Sequence, residues 1–254
     1  MCLAVFSWQP GSAVPLRLVA NRDEFRQRPT LAMHWWPDHD LLAGKDLQAG
    51  GTWLGFNRRG AFALLTNVRP GFIGLSSALS RGDLVREFLH GSDSIESYHR
   101  GVQARLGDYG GFNLVLGDGQ RLFYFSSVHS SGQWLAPGIH GLSNDSLNTP
   151  WPKTELAKQQ MRDWGEASLP TVAQQSILTS TEIVARQQLP STGVPLAWEQ
   201  TLSAQTIVGE DYGTRCRTLA RQLRSGAFEV IEQQLDAQGQ IVASAEFNLA
   251  GGAD

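Results

Sequence analysis

Cys2 is the residue of this chain best suited to chemistry. A thiol is intrinsically nucleophilic, and a nearby cation favours its thiolate. Position two adds a second resource, because an initiator Met followed by a residue as small as Cys is generally removed. The α-amine so exposed has an ordinary pKa of roughly 7.7–8.0, near enough to neutrality to act as general base for the adjoining thiol. One residue would then supply nucleophile and base. The alternative reading of Cys2 is a small buried hydrophobe at the start of a strand. The other chemistry-bearing residues stand where apolar runs end: Asn21, Arg22, Asp23 and Glu24; Thr66, Asn67 and Arg69; Asn113, Ser143 and Asn144; Thr214 and Arg215. Amides suit the donors of an oxyanion site, and a guanidinium can grip a carboxylate with two parallel bonds. Each taken singly also reads as an ordinary cap or turn former.

Metal chemistry is not favoured. The six His, at 34, 39, 90, 99, 129 and 140, show no HxH, HExxH or Cys/His zinc spacing. His39 and His90 read as surface residues, whereas His140 adjoins Gly141-Leu142-Ser143-Asn144. No P-loop, no GxGxxG after a strand and no GxSxG elbow occurs.

These residues need elements to bring them together. Cys2–Trp8 and Val14–Ala20, apolar runs separated by a Pro-Gly turn, predict a hairpin that returns Asn21–Glu24 to the level of Cys2. Phe25–Thr30 reads as an exposed basic turn, followed by loop and short strand around 34–44. Thr52–Phe56 and Ala61–Asn67 predict a second hairpin, with Gly50-Gly51 ahead of it marking a bulge or close backbone approach. Ser80 would cap a helix over 83–90 with Leu84, Val85, Phe88 and Leu89 on one face, and Ser92 or Asp93 a second helix to about 106. Phe112–Leu116 and Leu122–Phe125 flank an Asp-Gly turn, and Ile139–Leu142 is strand-like. Pro150 and Pro152 open a helix to about 164, 171–187 reads as helix, and 191–204 as a surface loop. Arg215–Leu223, Phe228–Leu235 and Ile241–Leu249 end the chain as strands. Antiparallel meanders with helices inserted in blocks predict an α+β fold, in one domain over 1–254.

Composition bounds the function. The chain has 254 residues, 41% hydrophobic and 18% charged, as in globular proteins generally. A net charge of −3 argues against a broad grip on nucleic acid or anionic lipid. No apolar run is long enough for a transmembrane helix, and no signal peptide is recognisable. Cys2 and Cys216 alone make no disulfide framework, and a cytoplasmic location is expected. Eight Trp residues imply core, or a pocket for a flat ligand.

Met1-Cys2, Asn21-Arg22-Asp23-Glu24, Gly50-Gly51-Thr52-Trp53-Leu54-Gly55, Leu65-Thr66-Asn67-Val68-Arg69 and Gly111-Phe112-Asn113-Leu114 together resemble the NRDE family, also called the transport and Golgi organisation protein 2 family. Leu142-Ser143-Asn144, Thr149-Pro150-Trp151-Pro152-Lys153 and Tyr212-Gly213-Thr214-Arg215 continue the match. The resemblance implies an Ntn-hydrolase-like αββα sandwich, similar to penicillin V acylases and bile-salt hydrolases. It then implies Cys2 as nucleophile, Arg22 and Asp23 as its charge pair, Asn67 and Asn144 on the oxyanion side, and Arg215 as a late Arg. It further implies haem handling, without a required cofactor: haem as cargo, exchanged with haem-donating or haem-accepting proteins. The ligand-binding residues would be Asn21, Arg22, Glu24, Trp53, Arg69, His140 and Arg215, with His140 or Cys2 as axial ligand. An N-terminal-Cys amidohydrolase acting on acyl amides is the alternative, and a non-catalytic interaction module the third.

Overall fold

A computed structural model of the chain describes residues 2–37, 39–69, 78–129, 131–164 and 176–251. β1 (Cys2–Trp8) and β2 (Leu16–Phe25) form the expected hairpin, with Cys2 opposite Arg22 and Leu3 opposite Asn21. The expected end of the second strand at Ala20 is corrected. β2 runs on through Asn21, Arg22, Asp23 and Glu24, because the chain pairs it on its other edge with β11 (Tyr212–Gln222) along that whole stretch. A polar run therefore lies inside a strand, Asn21 and Arg22 flanked by β1 and β11 and Asp23 and Glu24 paired with β11 alone.

β3 (Thr30–Trp35), β4 (Leu42–Asp46), β5 (Leu54–Phe56) and β6 (Phe62–Asn67) precede the first helices. β7 (Phe112–Gly117), β8 (Leu122–Ser126), β9 (Gly132–Trp134) and β10 (Gly138–Leu142) follow them, and β12 (Phe228–Leu235) and β13 (Ile241–Leu249) come last. They form an antiparallel six-stranded sheet, β10-β1-β2-β11-β12-β13, and an antiparallel seven-stranded sheet in sequence order from β3 to β9. Alternation along the strands divides the core into layers. Ala4, Phe6, Leu16 and Leu18 of the first sheet meet Leu54, Phe56, Phe62 and Leu64 of the second. Leu3, Val5 and Val19 face the other way, onto Ala157 and Met161 of α3 (Pro152–Arg162). Ala63, Leu65, Leu114 and Leu116 pack against α1 (Arg81–His90) and α2 (Ile95–Gln103). Helix, sheet, sheet, helix is thus the order of layers, the expected αββα sandwich.

Ser80 caps α1, accepting a hydrogen bond from the Gly82 N–H, and the expected apolar face is buried. The second helix is capped by Ser94 rather than by Ser92 or Asp93. Two expectations fail between 171 and 204. Residues 171–175 lie outside the described residues, and 176–188 form turns, irregular chain and a 3-10 turn at Arg186–Gln188 instead of a helix. Leu178 there takes a φ of 60°, and its carbonyl accepts from Asn21 and Arg217, so long-range partners replace the helical ladder. Conversely the expected surface loop contains α4 (Leu196–Thr201), where Trp198 packs on Phe25 and Tyr212 and Glu199 is buried.

Candidate functional site

A cleft of about 470 Å³ opens over the ends of β1 and β2, where both meet the start of α1. Cys2, Arg22, Asp23, Glu24, Trp53 and Asn67 line it, together with Arg28, Asp46 and Arg81. The hairpin register therefore brings Cys2 to the Asn21–Glu24 stretch, as the turn spacing implies. Gly51 and Gly82 make the wall between β5 and α1 possible. A Cβ on Gly51 would stand 2.5 Å from the Gly82 carbonyl carbon, so the close backbone approach indicated by Gly50-Gly51 is real and excludes any side chain.

The Arg22 guanidinium lies 4.2 Å from the centroid of the Trp53 ring and donates to Thr30 Oγ1 at 3.2 Å. Its Nη2 is 3.8 Å from Glu24 and 3.7 Å from Asp46, and Arg28 Nε donates to Asp46 at 2.7 Å. Arg81 Nη1 donates to the Gly111 carbonyl at 3.1 Å, and burial pulls its guanidinium below the usual arginine range. Arg22, Arg28 and Arg81 are matched in number by Asp23, Glu24 and Asp46, so the cleft is polar without being an anion sink. Burial pushes the Cys2 thiol up and Asp23 adds to this, while Arg22 counters it. The resting thiol is thus held protonated.

Asp23 belongs to the helix-facing side of β2. Burial raises its carboxyl, while Lys153, a hydrogen bond from Thr214 Oγ1 at 2.7 Å and Arg69 oppose the rise. Beside it lies a buried polar layer. Lys153 Nζ donates to the Leu202 carbonyl at 2.8 Å and is pushed down to about 8 by burial. Arg69 pairs with Glu199 at 3.1 Å and lies 5.0 Å from the Trp151 ring centroid. This layer reaches the cleft through Asp23.

Several residues expected at the site stand elsewhere. Asn21 is sealed on the helix side, its Nδ2 donating to the carbonyls of Leu178 and Gln205 at 2.9 and 2.8 Å and its Oδ1 accepting from Arg217. Asn144 Nδ2 donates to the Asn67 carbonyl at 2.8 Å, and the Asn144 carbonyl accepts from the Arg69 N–H at 2.8 Å. Asn144 thereby positions Asn67, whose residue is the one on the cleft wall. Arg69 lies in the buried layer rather than on the cleft. Arg215 sits at the irregularity in the β2–β11 register and donates to the carbonyls of Phe25 and Arg28, holding the turn behind the cleft. His140 lies on the edge strand opposite Phe6, with Nε2 at 3.0 Å from the Ala136 carbonyl and Nδ1 at 3.2 Å from Asn148, and is not among the cleft's lining residues. Thr66, Asn113 and Ser143 tie the sheets together: Thr66 Oγ1 donates to the Ser143 carbonyl, Asn113 Nδ2 to Thr66 and to the Asp145 carbonyl, and Ser143 Oγ to the Cys2 carbonyl.

Arg28, Asp46, Arg81 and Lys153 were not legible as site residues. Arg28 reads as part of an exposed basic turn, while Asp46 and Arg81 fall between the predicted elements, Arg81 next to the Ser80 cap. Only Arg81 carried a usable signal, since a cation immediately after a helix N-cap works against the helix dipole and invites another reason for its presence.

The family model described as "Transport and Golgi organisation 2" matches residues 1–237. The Transport and Golgi organization protein 2 homolog of Bos taurus is 34% identical over 242 residues, covering 86% of this chain and 87% of that protein. The Homo sapiens homolog is 38% identical over 173 residues, covering 63% of this chain and 62% of that protein. Among solved structures, a Caenorhabditis elegans N-acylethanolamine-hydrolyzing acid amidase ortholog matches with a TM-score of 0.47 at 9% identity, covering 88% of this chain and 93% of that one. With a model that spans the motif blocks from Cys2 to Arg215, and a relative matched over most of both lengths, the chain belongs to the Transport and Golgi organisation 2 family.

Proposed function

We propose that the cleft binds an amphipathic carboxylate for reversible transfer, haem being the cargo to which the family resemblance points. The observation that carries this reading is the pairing of an apolar wall, Phe25, Trp53, Leu65 and Leu79, with the guanidiniums of Arg22, Arg28 and Arg81 in one open cleft. A planar macrocycle would lie along the wall and its propionates would exchange places with Glu24 and Asp46 on the arginines. Because those arginines already have carboxylate neighbours, the exchange yields only a modest gain, which suits a carrier that must release what it holds. Affinity on the order of micromolar, about −8 kcal/mol, is expected. Cys2 is the axial-ligand candidate that lines the cleft; His140, with both ring nitrogens engaged, is not. Haem-donating and haem-accepting proteins would be the partners. The test is a haem titration followed by Soret absorbance, with transfer to apomyoglobin. Arg22→Ala should weaken binding by about 1.5–3 kcal/mol, and Arg215→Ala, which removes no cleft guanidinium but releases the Phe25 and Arg28 carbonyls, should weaken it less. Wild-type protein that neither binds nor donates haem ends this reading.

A second reading rests on a separate observation: the Cys2 thiol and Asn67 share the cleft, with Asp23 next to Arg22. This is an N-terminal-Cys amidohydrolase of acyl amides. In a chain lacking Met1, the Cys2 amine would take the thiol proton, the sulfur would attack the acyl carbon, and an Asn67 donor would meet the oxyanion. The amine then returns the proton to the leaving nitrogen, and water releases the acyl group from sulfur. Intact-mass spectrometry of cell-produced protein tests the premise. Acyl-amide turnover that survives Cys2→Ala rules the mechanism out.

A further inference from the structure

His39 and His90 lie at the opposite end of α1 from the cleft, one in the connection between β3 and β4, the other the last residue of the helix. Their Nδ1 atoms are 3.2 Å apart. The ring centroids are 4.3 Å apart, with the planes at 68°, so the rings meet edge to face and a turn of each ring is needed to aim both Nδ1 lone pairs at one ion. Two imidazole nitrogens on one ion at roughly 2.0–2.1 Å, with a near-tetrahedral angle between them, stand about 3.3 Å from each other. We propose that His39 and His90 form a two-imidazole site for a borderline divalent transition-metal ion, of the Zn²⁺, Ni²⁺ or Cu²⁺ class.

One arm of the site is held. The His39 N–H donates to the Trp36 carbonyl at 3.2 Å, its ring packs on Trp36 at 6.2 Å, and Trp36 is itself buried with its indole N–H donating to the Ala43 carbonyl. The other arm projects from a helix anchored by Leu84, Val85, Phe88 and Leu89. A cation there meets the negative end of the helix dipole, although Arg59 already donates to the Leu89 and Gly91 carbonyls and reduces that advantage. Arg58 nearby is paired with Asp40, and Lys45 lies over Trp36. Without metal, the same nitrogens share one proton as an N–H···N hydrogen bond. On binding, that proton goes to solvent and the ion takes its place, so each nitrogen offers a lone pair. Among the described residues no group of three or more His, Cys, Asp or Glu side chains gathers for a metal. The remaining positions therefore go to water or an incoming ligand, which makes the ion exchangeable and pins the end of α1 to the β3–β4 connection while it is bound.

The test uses the full chain without an affinity tag. Isothermal titration with Zn²⁺ should show one ion per chain, and the Cu²⁺-loaded protein should give electron-paramagnetic nitrogen couplings from two imidazoles. His39→Ala and His90→Ala should each lower affinity at least about tenfold and leave one coupled imidazole. His39→Gln keeps a hydrogen-bonding head without a second imidazole lone pair and should show the same loss. Both positions lie at the surface, so circular dichroism should match wild type in every variant. Absence of Zn²⁺ binding, or binding and couplings that persist in either single variant, overturns the site and leaves the contact a hydrogen bond.

Discussion

Asn21 and Arg22 are neighbours in sequence, yet their side chains leave β2 on opposite sides and enter different kinds of surroundings. Arg22 faces the space between the sheets, where Trp53, Glu24, Asp46 and Arg28 surround it at the cleft, with ion-pair separations of 3.7–3.9 Å around its edge and the Arg28–Asp46 contact open to solvent on one side. Asn21 faces α3, where the contacts are buried: Asn21 to Leu178 and Gln205, Arg69 to Glu199 and Lys153 to Leu202, with Asp23, held by Thr214, as the one member that reaches the cleft. The open face can trade its partners for those of a ligand. The sealed face cannot, because each group there would be left in a low dielectric without water to replace what it lost. A four-residue motif that looks like one functional unit is thus two alternating pairs, one facing the space between the sheets and the other fastening the sheet to the helix layer.

The largest test of that contrast is Glu199→Ala. It takes the carboxylate from Arg69 and from Thr192, whose N–H and hydroxyl donate to it, and is expected to cost about 3–5 kcal/mol. At roughly 2–4 °C per kcal/mol for a chain of this size, the melting temperature should fall by roughly 6–20 °C. A loss as small as that of a surface pair would mean the sealed face is not sealed.

The two faces should also differ in their response to pH. Glu232, between the sheets, accepts from the Met33 N–H and from Gln234 Nε2 at 2.7 Å, and burial pushes its carboxyl up from 4.5 to about 7. The unfolded chain then ionises first as pH rises, so stability should fall from about pH 4.5 to about pH 7, by about 3 kcal/mol, and level off above. Lys153, on the helix side, is pushed down from 10.5 to about 8, so here the folded chain loses its proton first. Stability should rise from about pH 8 to about pH 10.5 by a similar amount, and stay level below pH 8. Urea midpoints across both windows measure this, with Glu232→Gln flattening the first slope and Lys153→Met the second. A slope unchanged in its variant assigns the proton elsewhere.

The smallest effect should come from the open face. Arg28→Ala removes the 2.7 Å pair with Asp46, but solvent reaches both groups, and less than about 1 kcal/mol of stability should be lost, less still at high salt. A loss equal to that of Glu199→Ala would erase the distinction between the faces.

Much of the frame was legible because it follows from local rules. The Pro-Gly turn between two apolar runs specifies the first hairpin, the Asp118-Gly119 turn specifies β7–β8, and Ser80 with four spaced apolar residues specifies α1. Residues 176–187 and 196–201 depart from the local expectation because their conformation answers to distant partners: Leu178 is held by Asn21 and Arg217, and Glu199 by Arg69. Propensity within a window carries no record of such contacts.

For the site, the amino-acid sequence by itself determined that Cys2 and the Asn21–Glu24 stretch share one end of a sheet, since turn position and strand lengths set the register. Gly50-Gly51 indicated a bulge or a close backbone approach, and only the structure placed that approach, Gly51 against Gly82, beside Cys2. Which side chain faces which layer was decided by tertiary structure alone. A strand's alternation is periodic, but whether the odd or the even residues meet the cleft depends on where the second sheet and α3 dock, and that is settled by the whole apolar core. The same docking turned Asn144 toward the Asn67 backbone and Arg215 toward the turn at Phe25–Arg28, and it brought Arg81 and Asp46 to the cleft and Lys153 into the buried layer beside Asp23.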